Sequence, residues 1–238
     1  MNIALIGYGK MGKMLEHTAL QRGHKIVSKI DLNNIDDFFS AEFRSADVAL
    51  EFTAPAVAMQ NIRAAWAQNV KVVCGTTGWT SDLQVMQNEL KTNGKTLFWA
   101  SNFSLGVNIF FEINRYLAKI MNSFPQYDLN IEEIHHLEKK DAPSGTAITL
   151  AENILTLLDR KKHWTLSPEK NLQDIEITAL RQPNVVGTHS VKYESVDDAI
   201  TLTHNAKSRA GLALGAILAA EFVQDKNGYF SMSDLLKF

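Results

Sequence analysis

Continuous apolar runs separated by amphipathic stretches dominate the first hundred residues. Residues 3–6 (Ile-Ala-Leu-Ile), 48–52, 70–74 and 96–100 predict strands buried on both faces, the habit of a parallel sheet, with 25–30 as a further strand. Helical periodicity predicts helices over 13–21, from Pro55 to about Gln68, and to about Lys91. Pro55 suits a first helical turn, where its missing N–H costs nothing, and Ser81 is the expected cap of the third helix. Alternating strands and helices of this length are the pattern of an α/β sheet with helices on both faces.

From Ser104 the pattern changes. Residues 107–121 are strongly apolar with a helical period, closed by Phe124-Pro125, and 127–134 alternate as a strand that runs into His135-His136. A second helix is expected over 143–158, with Ile148, Leu150, Ala151, Ile154, Leu155 and Leu158 as its apolar face. Residues 160–171 read as a polar connector, and 175–180, 187–193 and 199–202 as strands, the last two a hairpin. The result is an α+β unit: a mixed sheet of about four strands with two helices on one face. The alternation places Val, Tyr, Ile and Leu on both sides of that sheet, so its second face is expected to pack on another subunit. A Gly/Ala-rich helix over 209–223 should return to the first sheet, and the tail docks through Tyr229, Phe230, Leu235 and Leu236.

Composition adds limits. The 238 residues carry 24 Lys+Arg against 26 Asp+Glu, a net charge of −2 that gives no pull toward nucleic acid or anionic membrane. The single cysteine, Cys74, ends an apolar run and reads as a small buried hydrophobe rather than a nucleophile. No stretch approaches the ~20 apolar residues of a membrane span, and the start lacks a secretory pattern, so a cytoplasmic protein is expected.

Gly7-Tyr8-Gly9-Lys10-Met11-Gly12 lies between the first strand and its helix. In that context G-x-G-x-x-G predicts dinucleotide binding: one glycine for the turn, one for approach of the pyrophosphate, one for helix–strand packing. Asp31 ends the second strand, where a carboxylate accepts from the adenosine ribose hydroxyls and repels a 2′-phosphate, which leans toward NADH over NADPH. Lys10, Lys13 and Lys29 stand near enough in sequence to offset part of that repulsion. Small polar residues recur at the later strand ends, in Gly75-Thr76-Thr77-Gly78 and Ser101-Asn102-Phe103, as a cofactor cleft requires. The expected division is a Rossmann-type domain of residues 1–103 and 206–238 and a substrate-binding, oligomerising domain of residues 104–205.

Residues 132–146, Glu-Glu-Ile-His-His-Leu-Glu-Lys-Lys-Asp-Ala-Pro-Ser-Gly-Thr, gather the candidate chemistry. Imidazole exchanges protons near neutrality, lysine clamps a carboxylate or donates a proton, and Ser144-Gly145-Thr146 offers free N–H groups at a helix start. No third ligand stands at a recognisable spacing from the histidine pair, so no metal site is expected. Glu132, Glu133 and Glu138 read as a solvated rim or as histidine orienters, and Asp141 as a helix cap or loop tie. Chemistry alone does not choose between Lys139 and Lys140.

The run His135-His136-x-x-Lys139-x-Asp141-Ala142-Pro143-Ser144-Gly145-Thr146-Ala147 resembles the signature of the 4-hydroxy-tetrahydrodipicolinate (dihydrodipicolinate) reductase family. Agreement extends to Glu51-Phe52-Thr53-x-Pro55, Gly75-Thr76-Thr77-Gly78, Asn102-Phe103-Ser104-x-Gly106-Val107-Asn108 and Ser208-Arg209, nearly the whole chain. The resemblance implies an NAD(P)H-dependent oxidoreductase of lysine and diaminopimelate biosynthesis, acting on a cyclic dicarboxylate. It implies His135 as the acid/base, Lys139 as the proton donor, and His136, Gly145 and Thr146 as substrate ligands. Cofactor contacts would come from Gly7 to Gly12, Asp31, Gly75, Thr76, Thr77, Ala100, Ser101, Asn102 and Phe103, and the second domain's sheet would build a homotetramer. Two rivals remain: another two-domain Rossmann reductase of an amino-acid or sugar carbonyl, and a non-catalytic nucleotide sensor.

Overall fold

Strand β1 (Asn2–Ile6) alternates between two cores, because both faces of its sheet are covered. Ala4 and Ile6 face one apolar cluster while Ile3 and Leu5 face the other, which is why the run is apolar throughout. The computed structural model describes residues 1–79, 83–166 and 171–238. The chain divides into two compact units, Met1–Leu105 with Ala210–Phe238, and Gly106–Arg209. The predicted Ser81 cap lies outside the described residues.

In the first unit β1 is followed by α1 (Lys10–Gln21), β2 (Lys25–Ile30), a 3-10 turn (Ile35–Phe39), the short α2 (Ala41–Arg44), β3 (Val48–Glu51) and α3 (Pro55–Ala67). Then come β4 (Lys71–Cys74), α4 (Leu83–Asn93) and β5 (Thr96–Trp99). Pro55 takes the first position of α3, as expected. Helix α1 begins at Lys10, inside the glycine loop and earlier than the expected residue 13, so its first N–H groups belong to the loop itself.

The second unit holds α5 (Leu105–Met121, which starts at the boundary), β6 (Asp128–His135), α6 (Gly145–Leu155), β7 (His163–Thr165), β8 (Asp174–Arg181), β9 (Gly187–Glu194) and β10 (Ala199–Ala206). Helix α7 (Ala210–Val223), β11 (Gly228–Phe230) and α8 (Met232–Leu236) return to the first unit. There the strands, all parallel, run β11-β5-β4-β3-β1-β2. The order reverses between β1 and β3, the point where such sheets bind ligands beyond their carboxyl ends. Helix α7 packs on the face carrying Ile3, Leu5 and Val48; a Cβ on its Gly215 would fall 1.7 Å from Phe103 O, so only glycine permits that approach.

The second sheet runs β10-β9-β6-β8-β7, five strands rather than about four. The addition is β7, three residues within the stretch expected to be only a connector. The strand register also corrects the apolar second face. Leu129, Tyr193 and Ile200 lie abreast, as do Ile131, Val191 and Leu202. They share one face with Ile175 and Ile177, and all but Ile200, which is exposed on the edge strand, pack on Phe110 and Met121 of α5 and Leu150 and Ile154 of α6. The opposite face presents Asn130, Glu132, Ser190, Lys192, Thr201, Thr203, Glu176 and Thr178, with Ile134 and Leu180 its apolar members among these three central rows. Its surface is polar, so apolar surplus does not argue for an interface there. No helix, among the described residues, is long and apolar enough to cross a membrane.

Candidate active site

The first unit gathers the predicted cofactor residues at the carboxyl ends of β1, β2, β4 and β5. Gly7 has φ +91°, and a Cβ on it would fall 2.3 Å from Phe52 O. A Cβ on Gly12 would fall 2.3 Å from Gly7 O, so this glycine lets α1 lie against the turn. Gly9 meets nothing within 4 Å, which leaves room for a diphosphate over the first turn of α1, where no acidic residue stands. These positions fit a dinucleotide in the three ways the motif requires.

Asp31 is exposed at the end of β2, its Oδ1 accepting from Leu32 N–H at 2.9 Å. Lys29 is already committed: its Nζ lies 2.6 Å from Glu16 Oε1, donates to Tyr8 Oη at 3.2 Å and sits 4.6 Å from the centre of the Tyr8 ring. Lys10 and Lys13 are exposed, while Met11 is half-buried.

Loop-end side chains divide into exposed and structural. Thr77 and Ser101 are exposed, and Gly75, where a Cβ would strike the Phe52 ring at 2.1 Å, lies beside them. Thr76 is buried: its Oγ1 accepts from Thr53 N–H at 2.8 Å and its carbonyl from the indoles of Trp79 and Trp99 at 2.8 and 3.1 Å. Asn102 Oδ1 caps Ser104 N–H at 2.8 Å, Ala100 is buried, and the Phe103 ring stacks on Phe98 in the core. Glu51, fully buried, accepts from Thr53 Oγ1, from Asn61 Nδ2 at 3.2 Å and from Cys74 Sγ at 3.1 Å. Burial pushes the Cys74 thiol well above its ordinary range, in keeping with an inert structural cysteine.

In the second unit, β6 carries Leu129, Ile131, Glu133 and His135 on its inner face. The core alternation continues unbroken into a carboxylate and an imidazole. Register sets His189 of β9 beside Glu133, and Arg181 of β8 beside His135. Glu133 is 0% exposed and His135 8%, whereas Glu132 and Glu138 are exposed. A solvated rim therefore describes those two glutamates but not Glu133.

Glu133 Oε2 lies 3.2 Å from His135 Nδ1, and neither atom has a hydrogen-bond partner among the described groups, their mutual approach included. Glu133 Oε1 accepts from Ser144 N–H at 3.1 Å and from Arg181 at 3.4 Å. The His189 ring meets that of His135 edge-on with centroids 5.0 Å apart, and its Nε2 lies 3.1 Å from Ser144 Oγ. A Cβ on Gly187, which is buried in β9, would lie 3.0 Å from His135 Nε2 and 3.8 Å from the His189 ring, so glycine lets the strand pass close to that nitrogen.

Burial pushes the His135 imidazole below its ordinary value; Glu133 works against that shift, Lys139 and Arg181 with it. The shift favours the neutral ring, the form that takes a proton. His189 is pushed down to about 3, chiefly by burial and then by His135, His204 and Lys139.

The segment after β6 turns back at once, Lys139 N–H donating to His136 O at 3.1 Å. His136 is half-buried, and Lys139 Nζ donates to Asp141 Oδ1 and Oδ2 at 2.8 and 2.7 Å. That contact holds the Asp141 carboxyl below its usual range. Lys140 is exposed. Asp141 is thus a loop tie, while Ser144 caps α6 by accepting from Ala147 N–H at 3.3 Å. The helix starts at Gly145, two residues beyond the expected Pro143, because its cap is Ser144. The N–H groups of Gly145 and Thr146 are left at the helix start, with open space around Gly145 and no acidic residue in the first turn.

Two residues of this cluster, His189 and Arg181, were not singled out as site residues from the sequence. His189 alternates with Val191 and Tyr193, a core pattern that contains a histidine, and that was the available signal. With Glu133 and His135 it forms the one group, among the described residues, whose donor atoms stand close enough to hold a metal ion, all within 4.8 Å. The expectation of no metal rested on sequence spacing, which does not see a ligand from another strand. The Arg181 guanidinium on the same carboxylate opposes a dication there.

Family models described as dihydrodipicolinate reductase match residues 1–103 (N-terminus) and 106–236 (C-terminus). A 4-hydroxy-tetrahydrodipicolinate reductase of Christiangramia forsetii is 48% identical over 236 residues, covering 99% of this chain and 98% of the relative. One of Archaeoglobus fulgidus is 34% identical over 266 residues, covering 100% of both. Among solved structures, a dipicolinate-bound dihydrodipicolinate reductase from Paenisporosarcina sp. TG-14 shares the fold with a TM-score of 0.77 at 24% identity, covering 97% of each chain.

Proposed function

Because the chain belongs to the dihydrodipicolinate reductase family, we propose that it reduces 4-hydroxy-tetrahydrodipicolinate to tetrahydrodipicolinate with loss of water, in lysine and diaminopimelate biosynthesis. The observation that carries this reading is the end of the second unit's sheet, where a buried imidazole, a lysine tethered to Asp141 and an open helix start are joined by one chain segment.

The substrate is a dianion at neutral pH. The N–H groups of Gly145 and Thr146 and the Thr146 hydroxyl would receive one carboxylate, with His136 and Lys139 assisting. His135 serves loss of the 4-hydroxyl as acid/base through Nε2, the ring nitrogen that does not face Glu133. Bound NAD(P)H supplies the hydride for the unsaturated ring that results. Lys139 supplies the accompanying proton, so the sum is substrate, reduced cofactor and one proton giving product, oxidised cofactor and water.

The cofactor would be held by Gly7, Tyr8, Gly9, Lys10, Met11 and Gly12 over the start of α1, with Asp31 on the adenosine ribose. Gly75, Thr76, Thr77, Ala100, Ser101, Asn102 and Phe103 would line the far side, Thr76 and Phe103 through their backbone, since their side chains are engaged in the loop and core. NADH is preferred on this reading because Asp31 stands unopposed by Lys29, whose charge Glu16 takes up. The assignment of the glycine-loop unit to cofactor and the second unit to substrate and assembly follows from the same residues.

A cytoplasmic homotetramer completes the proposal. Its support is the family resemblance and the Ser/Thr-rich outer sheet face, suited to hydrogen-bonded contact; light scattering of the protein and of Thr201→Arg tests it, with a monomeric mass for both rejecting it. For the substrate, a pyridine dicarboxylate titrated into the cofactor-loaded protein should bind saturably, and Thr146→Val should weaken it about tenfold, ~1.4 kcal/mol. No binding to the unaltered protein would reject the dicarboxylate reading.

A further inference from the structure

Glu133 is the most deeply buried charge-bearing group of the second unit's site, and its two oxygens face different parts of it. Oε1 accepts from Ser144 N–H, just ahead of the helix start, and from Arg181; Oε2 faces His135 Nδ1 at 3.2 Å. We propose that Glu133 is a positioning residue: through Oε2 it fixes His135 with the proton on Nδ1, and through Oε1 it holds the Ser144-Gly145-Thr146 turn, so that one carboxylate sets the acid/base and the anion-binding helix start together. The inference rests on the reading of His135 as the acid/base group.

Three observations carry it. Buried polar atoms take partners, and Glu133 Oε2 and His135 Nδ1, neither of which has a hydrogen-bond partner among the described residues, face each other at 3.2 Å, so a small turn of the ring completes the bond between them. A proton on Nδ1 leaves Nε2 with a free lone pair, and Nε2 is the nitrogen that a Cβ on Gly187 would crowd at 3.0 Å, which glycine avoids. Finally, Oε1 is occupied on two sides, so rotation of the carboxylate away from His135 would break the contacts to Ser144 and Arg181.

The competing occupant of the same atoms is a divalent cation bound by Glu133, His135 and His189. Against it stand Arg181, 3.4 Å from the carboxylate, and the engagement of His189 Nε2 with Ser144 Oγ at 3.1 Å. The charged and titratable groups facing His135 are Glu133 on its own strand, Lys139 and Asp141 from the following loop, Arg181 of β8 and His189 of β9. Glu133 favours protonation of the ring, as Asp141 does, and the two cations oppose it. Removing the Glu133 charge therefore moves the His135 titration to lower pH.

The test is Glu133→Gln, which keeps an acceptor for Ser144 N–H but turns an amide donor toward Nδ1. Nitrogen-15 spectra of the His135 ring, read without turnover, should show the Nδ1–H tautomer in the unaltered protein and the Nε2–H tautomer in the variant. With cofactor affinity and KM within about threefold, kcat should fall on the order of 10²-fold or more, the scale of a misplaced acid/base proton. The pH limb that disappears in His135→Gln should shift downward in Glu133→Gln. An Nε2–H tautomer in the unaltered protein overturns the proposal even if the variant fails to fold. So does a folded variant with unchanged kcat and unchanged limb, or unaltered protein that loses activity to a chelator and regains it with zinc. Failure of the unaltered protein to turn over the dicarboxylate, with the Nδ1–H tautomer present, would instead count against the substrate reading.

Discussion

Lys139 Nζ bonds both carboxylate oxygens of Asp141, at 2.8 and 2.7 Å, and the same loop is clamped from below by Arg181, which donates to Lys139 O and Asp141 O at 3.3 and 2.6 Å. Sequence chemistry did not distinguish Lys139 from Lys140; in the structure Lys139 is tied to Asp141, while Lys140 is exposed. Lys139→Ala should lower kcat on the order of 10²-fold or more, the range of a lost proton donor. Lys140→Ala should stay within about twofold. Steady-state rates of the two variants side by side check this, and equal losses would refute the distinction.

The glycine loop predicts two different failures. A Cβ on Gly12 falls 2.3 Å from Gly7 O, whereas one on Gly9 meets nothing within 4 Å. Gly12→Ala should cost about 1–3 kcal/mol by overpacking, seen as a fall in Tm of roughly 2–4 °C per kcal/mol for a chain of this size. Gly9→Ala should hold its Tm within a few degrees and weaken cofactor about tenfold or more, ~1.4 kcal/mol. Thermal melts and cofactor fluorescence titrations of both proteins separate the two outcomes.

Cofactor choice turns on Asp31 and on the Glu16–Lys29 pair, 2.6 Å apart. Matched kinetics should show NADH used at least as well as NADPH. Asp31→Ala should move the NADPH/NADH ratio upward by about tenfold, and Glu16→Gln, which releases Lys29, should move it the same way by less. A strong NADPH preference in the unaltered enzyme would mean that Lys10 and Lys13 outweigh Asp31.

His189 links the site to acid stability. Its folded value, pushed down to about 3 mainly by burial, lies below the ordinary ~6.5 of histidine. The unfolded chain therefore binds the proton first as pH falls. Stability from the neutral buried ring is fully present above ~6.5 and is lost progressively down to about 3. Melts taken from pH 7 to pH 4 should show Tm falling, with a shallower slope in His189→Gln; parallel slopes would contradict this assignment.

The legible parts of the fold and site were those set by local pattern. Ile3 to Ile6 and the glycine loop announced the first sheet because burial on both faces leaves a continuous apolar run. The helix start at Gly145 was legible from Ser144 and the glycine, though displaced by two residues. What escaped depended on cross-strand register. Val191, Tyr193, Ile200 and Leu202 fall on one face only once β9 and β10 are paired, and His189 reaches Glu133 only through the pairing of β9 with β6. Strand β7, His-Trp-Thr, is too short and polar to have a period and exists because β8 offers it an edge. Glu133 was readable in principle: it stands two residues from Ile131 and two from His135, on the core side of the strand.

The most direct measurement is the loss of nicotinamide absorbance when the protein meets the freshly formed aldol product of pyruvate and aspartate semialdehyde. The unaltered enzyme should oxidise reduced cofactor continuously, and His135→Gln should lose on the order of 10²-fold or more while its cofactor affinity stays within about twofold. A folded, cofactor-binding protein that oxidised neither NADH nor NADPH with this substrate would contradict the account.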